Sequence, residues 1–74
     1  MLFRSVYMKM SEIEKAIADY DAVLRLDPDD ALARYSRGVA RERLGDVAGA
    51  SADRAAAQLL QPGVADAFKK LGLR

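Results

Sequence analysis

The feature that most constrains the fold of this chain is a repeat with a period of 34 residues. When the sequence is shifted against itself by that distance, residues 16–38 match residues 50–72 at nine positions. Five of the nine are pairs of alanines, which an alanine-rich chain produces partly by chance. The four more informative pairs are Asp19 with Asp53, Leu26 with Leu60, Pro28 with Pro62, and Gly38 with Gly72. A fixed period of this length indicates similar supersecondary units stacked in a row.

The spacing of apolar residues predicts helices in the first part of the chain. A short helix is predicted over residues 2–10, where an apolar stripe recurs at i, i+3, i+4 and i+7. The stripe consists of Phe3, Val6, Tyr7 and Met10. Ser11 followed by Glu14 forms a capping-box pattern, which predicts that a second helix runs from about Glu12 to Leu26. Nothing in the sequence forbids one continuous helix from Leu2 to Leu26, and such a helix would leave a protruding arm that invites domain swapping.

An Asp-rich turn separates this region from the next helix. Pro28 biases Asp27 away from the α conformation and so ends the preceding helix. Asp29 or Asp30 can then cap a helix that we expect over about Ala31–Leu44.

Two further helices are predicted after that one. Gly45 suits the left-handed position after a helix end, and Asp46 can cap a helix over about Val47–Leu60. Gln61-Pro62-Gly63 ends that helix, and Val64–Leu71 form a last short amphipathic helix. The side chains of residues 47–60 are mostly small, which predicts that this helix approaches its neighbours closely. We therefore expect an all-α chain of about five helices.

Composition excludes several kinds of functional site. The chain has no Cys and no His, which removes disulfides, thiolate nucleophiles, most zinc and haem sites, and the usual base at neutral pH. The carboxylate clusters alternate across a helix or occupy the Asp-rich turn, where surface and capping roles explain them. We expect no catalytic residue, no metal site and no cofactor.

Charge and size also limit the partners. The net charge is +1 with both signs interleaved, so no strong field attracts nucleic acid or a membrane surface. The basic run Arg34, Arg37, Arg41 and Arg43 is diluted by acidic residues and is interpreted as a solvated face. No segment approaches the roughly 18 apolar residues of a membrane span. We expect a cytoplasmic protein with no nucleic-acid or membrane partner.

A domain this small buries only roughly 60% of its unfolded surface, so very regular packing, a partner or a second copy must help to stabilise it.

The periodic landmarks resemble those of the tetratricopeptide repeat family. Residues that stand at signature positions of a full unit are Gly38, Ala40, Leu44-Gly45-Asp46, Ala50, Ala57, Leu60 and Pro62. The close of an earlier unit is matched by Ala16, Tyr20, Leu26, Asp27 and Pro28, and the opening of a further one by Phe68-Lys69-Lys70-Leu71-Gly72. The resemblance implies helix-turn-helix repeats in a fragment of a right-handed α-solenoid. It divides the single domain, residues 1–74, into a partial repeat at 1–30, a full repeat at 31–64 and a terminal helix at 65–74.

The resemblance also implies structural roles for particular residues. Gly38 is expected to lie against Ala50, and Ala57 against the last helix, so that helices can approach closely. Arg37 and Asp53 are expected to bridge the two helices of a hairpin, and Arg37→Ala to reduce stability without selectively changing ligand binding. The full set of residues expected to be structural is Gly38, Ala50, Arg37, Asp53, Ala57, Pro28 and Pro62.

Five positions depart from the family pattern. Arg4 stands where the family prefers a small residue, and Ser11 replaces the usual Gly between paired helices. Arg34, Arg41 and Arg54 replace apolar or aromatic residues, although their aliphatic stems can pack while their heads reach water.

In the family, the first helix of each unit faces a concave groove that binds a protein or peptide ligand. The positions that would line this peptide-binding groove are Leu32, Tyr35, Ser36, Val39, Glu42, Arg43, Met8, Lys9, Lys69 and Lys70. Leu32, Tyr35 and Val39 share one helix face that could instead belong to the core. The resemblance therefore implies a protein–protein or peptide-binding interaction module with no catalytic activity. The alternative is a structural self-assembly module that forms a homo-oligomer through exposed terminal helices.

Overall fold

The fold consists of four helices. The computed structural model describes the backbone of residues 2–70 and the side chains of residues 10–70. The helices are α1 (Leu2–Leu26), α2 (Ala31–Arg43), α3 (Val47–Leu60) and α4 (Val64–Lys70). Within residues 2–70 no residue is in a strand, so the all-α class is confirmed, with four helices instead of about five. α2 is the central element, because it packs against α1, α3 and α4.

Of the two alternatives left open near Ser11, the structure has the continuous helix, because α1 is one helix of 25 residues, and the separate short helix over residues 2–10 is wrong. The 34-residue period explains why. Leu44-Gly45-Asp46, the equivalent of Met10-Ser11-Glu12, ends α2 with Gly45 at a φ of 90°. That conformation is about 1–2 kcal/mol less favourable for a residue with a Cβ, so Ser11 disfavours the turn that Gly45 allows. Glu12 is also not among the preferred N-cap residues, whereas Asp46 is. Continuing the helix therefore costs less than turning.

Side-chain and backbone caps define both ends of α2. Asp30 is the N-cap, and its carboxylate accepts a hydrogen bond of 3.0 Å from the backbone N–H of Ala33. At the other end the N–H of Asp46 donates to the carbonyl of Arg41, and the N–H of Gly45 donates to that of Glu42, each at 2.9 Å. These two bonds form a Schellman motif, which satisfies carbonyls that the helix end would leave without partners.

α3 lies very close to α2 because Gly38 has no side chain. A Cβ placed on Gly38 would be 3.0 Å from the carbonyl oxygen of Ala50 and 3.1 Å from the Cβ of Asp53. Ala50 is only 2% exposed as a result. The structure thus contains the expected contact between Gly38 and Ala50.

A small apolar cluster joins α2, α3 and α4. Its buried members are Ala31, Ala57 and Val64, and the half-buried side chains of Leu32 and Tyr35 pack against it. α4 begins at Val64 as predicted and ends at Lys70. The predicted final residue Leu71 and the matched Gly72 lie outside the described residues.

Candidate binding groove

An open groove of about 300 Å³ lies between α1, α2 and α4. We call it the α1/α2 groove. Its lining is Glu12, Ile13, Ala16 and Tyr20 from α1, Ser36, Val39, Ala40 and Arg43 from α2, and Phe68 from α4. The floor is mainly apolar, whereas Glu12 and Arg43 are exposed polar members of the lining. An apolar cleft with a few polar groups is the usual form of a binding site.

The repeat explains why this groove exists. Residues 47–60 of α3 correspond, 34 positions earlier, to residues 13–26 of α1. Ala50 is covered by α2, but its equivalent Ala16 is only half-buried and lines the groove. Asp53 is buried, whereas its equivalent Asp19 is exposed. The groove therefore exposes in α1 the face that α2 covers in α3.

The structure brings three of the predicted groove residues together in this groove. Ser36 is buried at the floor, Val39 is half-buried, and Arg43 is exposed. Glu42 points elsewhere, since its carboxylate pairs with the guanidinium of Arg54 on α3. Fewer residues of α2 therefore line the groove than the sequence predicts.

Two other predicted groove residues contribute to packing. The ring of Tyr35 lies 5.3 Å from that of Phe68, centroid to centroid, with a tilt of 54°. The guanidinium carbon of Arg54 lies 6.0 Å from the Tyr35 centroid, within the range of a cation–π contact. Tyr35 and Leu32 also rest on the apolar cluster. Tyr35 therefore helps to hold α4 on α2, which supports the core alternative for this residue.

Of the four remaining predicted groove residues, two have side chains that the structure describes. Lys69 and Lys70 are exposed on α4. The side chains of Met8 and Lys9 lie outside the described residues. The lining also contains Glu12 of α1, Ala40 of α2 and Phe68 of α4, which are not among the predicted groove residues. The apolar members from α1, namely Ile13, Ala16 and Tyr20, are not among them either. They could be recognised only by comparison with residues 47–54, and only once α1 was known to be continuous.

Outside the groove lining, an ion-pair network joins α1, α2 and α3. Arg37 donates to both carboxylate oxygens of Asp53, from Nε at 2.9 Å and from Nη2 at 2.8 Å. Its Nη1 donates to Asp21 at 2.7 Å, and Arg41 donates to Asp53 at 3.0 Å. The hydrogen bond to Asp53 raises the pKa of Arg37 above its usual value, although burial opposes this effect. The guanidinium of Arg37 therefore stays charged at all ordinary pH values.

This network corrects the interpretation of the basic run as a solvated face. Arg34, Arg37 and Arg41 are all half-buried, and each donates a hydrogen bond within the protein. Arg34 donates to the carbonyl of Pro28 at 2.8 Å, which ties α2 to the preceding turn. Of the four arginines, only Arg43 is exposed. The reason is that carboxylate and carbonyl acceptors on neighbouring segments, of which only Asp53 is buried, meet these side chains. Charge spacing along one helix does not reveal such acceptors.

The described residues contain few other features that could act as a site. Among the side chains of residues 10–70, no group of three or more His, Cys, Asp or Glu residues could hold a metal ion. Within the part of the chain that the structure describes, none of the helices combines the length and apolar character needed to cross a membrane.

Comparison with known families agrees with the helical architecture. A family model described as TPR repeat matches residues 5–45, which is more than half of the chain. The chain therefore belongs to the tetratricopeptide repeat family, whose non-catalytic helical repeats generally mediate protein–protein interactions. No curated protein and no solved structure shows a significant match to the chain.

Proposed function

We propose that this protein is an interaction module that binds an amphipathic helical segment of a protein partner in the α1/α2 groove. The observation that carries the proposal is the uncovered apolar face of α1 at Ile13, Ala16 and Tyr20, which faces Val39 of α2 across the groove. In α3 the equivalent face is covered by a helix, so the shape of the groove suits a helix.

The chemistry of the lining supports this occupant. Helix-in-groove recognition places apolar side chains, spaced three and four residues apart, into an apolar cleft. Tyr20, Val39 and Phe68 would contact such side chains. Glu12 and Arg43, of opposite charge, would interact with polar groups along the edge of the ligand and select its orientation.

The same proposal covers the finer expectations from the sequence. Exposed Lys69 and Lys70 on α4 would extend the contact surface for a longer peptide, and Glu42 would contribute less because it pairs with Arg54. The module would act as a scaffold without catalytic activity, in the cytoplasm. Its units would be the partial repeat at 1–30, the full repeat at 31–64 and the terminal helix at 65–74.

Selection from a displayed library of amphipathic helical peptides tests the proposal. Peptides enriched on the immobilised protein are measured by fluorescence anisotropy against wild type, Val39→Glu and Arg43→Glu. We expect both variants to lose at least about tenfold in affinity, which is about 1.4 kcal/mol. Ala52→Glu, which places the same side chain at an exposed position of α3, should bind like wild type.

Two results would contradict the proposal. One is a selection that enriches no peptide above background. The other is an equal loss of affinity in Val39→Glu and Ala52→Glu, since the binding surface would then lie outside the groove. Circular dichroism of each variant shows whether the fold is retained.

A further inference from the structure

We propose that the α1/α2 groove is filled by residues 2–10 of a second copy of this chain, so that two molecules exchange the N-terminal arms of α1. We call residues 2–10 the arm. This inference rests on the proposed function, because it assumes that the groove binds an amphipathic helix, and it specifies which helix.

The arm of the same molecule cannot fill the groove. The arm and the groove-lining residues Ile13, Ala16 and Tyr20 belong to one continuous helix. A segment of a straight helix lies along its axis and cannot pack beside the next turns of the same helix. Because the arm extends for about 13 Å beyond the groove-lining turns, it is available to another molecule.

The 34-residue period identifies the arm as the segment that fits. Residues 2–9 correspond to residues 36–43 of α2, which is the part of α2 that covers α3 at Ala50 and Asp53. The equivalent surface of α1 contains Ala16, which lines the groove, and Asp19, which follows it by about one turn and is exposed. The match to the family also begins at residue 5, inside the arm. An arm docked in the groove would therefore take the place on α1 that α2 takes on α3, at a larger separation because Arg4 has a side chain where Gly38 has none.

The sequence of the arm agrees with this docking mode. Phe3, Val6, Tyr7 and Met10 form the apolar stripe that a helix needs in an apolar groove. Arg4 corresponds to Gly38, whose Cβ position lies 3.1 Å from the Cβ of Asp53. Arg4 of a docked arm would thus lie beside the exposed carboxylate of Asp19, and the charges are complementary. This pairing gives the large Arg4 side chain a partner at a position where the family prefers a small residue.

The expected interface has the size of a weak dimer that dissociates on dilution. Phe and Tyr side chains bury about 150–250 Å² each, so the two aromatic residues of each arm contribute about 600–1,000 Å² over two arms. The groove surface that they cover adds to this area, and the sum lies near the lower end of the range for specific interfaces, which is about 1,200 Å². The exchange is symmetric and closed, so it ends at two molecules.

Light scattering during dilution gives the first test. We expect wild type to be a dimer at about 100 µM and to dissociate on dilution, as mass action requires. The double substitution Ser11→Gly and Glu12→Asp copies the turn of Gly45-Asp46 into α1. It should let the arm fold back onto its own groove and convert the dimer to a monomer. Ala18→Gly, at an exposed position of α1 away from this turn, should leave the dimer intact.

A charge exchange gives the second test. Arg4→Glu and Asp19→Arg should each weaken dimerisation at least about tenfold, which is about 1.4 kcal/mol. The double variant Arg4→Glu with Asp19→Arg should recover most of the wild-type affinity, because the pair is restored in reverse. Lys15→Glu, an exposed charge change on α1 that does not line the groove, is the matched control.

The outcomes separate this inference from the proposed function. A wild-type monomer at every concentration overturns the exchange, and peptides that bind through Val39 would still support the proposed function. A dimer that neither the turn variant nor the charge variants affect also overturns the exchange. If the dimer responds as expected but no displayed peptide binds, the arm exchange is supported and the proposal of a separate protein partner is rejected.

Discussion

At the scale of single residues, two buried positions hold α2 against its neighbours. Gly38 lets the backbones of α2 and α3 approach so closely that a Cβ would touch the Ala50 carbonyl. One turn after Ala50 in α3, Asp53 is 4% exposed and accepts hydrogen bonds from Arg37 and Arg41. Because Asp53 is buried, we expect the loss of its ion-pair partners to lower stability more than the loss of a partly exposed surface pair would.

Substitution of Gly38 tests the close approach. Gly38→Val should lower the free energy of unfolding by about 2 kcal/mol, because the added carbon atoms overpack the contact with Ala50 and Asp53. Ala52→Val places the same side chain at an exposed position of α3 and should cost about 0.5 kcal/mol. Urea denaturation followed by circular dichroism measures both. Equal losses in the two variants would show that α2 and α3 can separate at no cost.

The ion-pair network predicts unequal effects of its two arginines. Arg37→Ala should cost about 3 kcal/mol, because it leaves the buried carboxylate of Asp53 with only one partner. Arg41→Ala, which removes one bond from a more exposed side chain, should cost about 1 kcal/mol. Denaturation at a fixed protein concentration gives both values. A loss for Arg41→Ala as large as that for Arg37→Ala would show that the burial of an arginine does not determine its contribution to the free energy of unfolding.

At the scale of the elements, turn chemistry decides how many helices the chain forms. The same period places Gly45-Asp46 after α2 and Ser11-Glu12 within α1. Asp46 caps α3 through a hydrogen bond of 3.0 Å from the N–H of Gly49, and Gly45 supplies the positive φ. One pair of residues makes a hairpin, and the other allows a helix of 25 residues.

Comparison of two glycines tests the role of the positive φ. Gly45→Ala should cost about 1 kcal/mol, because a Cβ disfavours a φ of 90° even though nothing crowds the site. Gly63→Ala, in the turn before α4, should be neutral or stabilise by up to about 1 kcal/mol, because that residue has no positive φ and open space around it. Thermal unfolding of both variants is the measurement. Equal shifts of the two melting temperatures would contradict this account of the turn.

At the scale of the whole molecule, burial is concentrated around α2. Five residues of α2 are buried, namely Ala31, Ala33, Ser36, Gly38 and Ala40. Large apolar side chains are exposed elsewhere, with Leu26 90% and Leu59 87% accessible. The stability of the molecule therefore depends mainly on how α1, α3 and α4 pack against one central helix.

Hydrogen exchange should reflect this arrangement. Amides of Arg37–Ala40 in α2 should exchange most slowly, because opening them requires separation of several helices. Amides of α4, a helix of seven residues that contacts α2 and α3, should exchange faster than those of α2. Exchange followed by mass spectrometry resolves these segments. Protection in α4 equal to that in α2 would contradict the central role of α2.

Much of the fold could be predicted because it follows from local chemistry. Asp30 and Asp46 cap helices at the predicted positions, and α3 runs from Val47 to Leu60 as expected. The continuity of α1 through Ser11 could not be predicted, since Ser11 and Glu14 have the sequence pattern of a capping box although the helix does not begin there. The groove depends on that outcome, so its wall of Ile13, Ala16 and Tyr20 was missed.

The sequence by itself determined the repeat, the all-α class and the family, because period, caps and small residues act over short distances along the chain. Only the tertiary structure decided which faces are covered. Asp53 is buried and Asp19 is exposed although their sequence positions are equivalent. The reason is that a helix lies over this face of α3, whereas the same face of α1 is open. Coverage is a property of helices that meet in space, and a 34-residue period does not specify it.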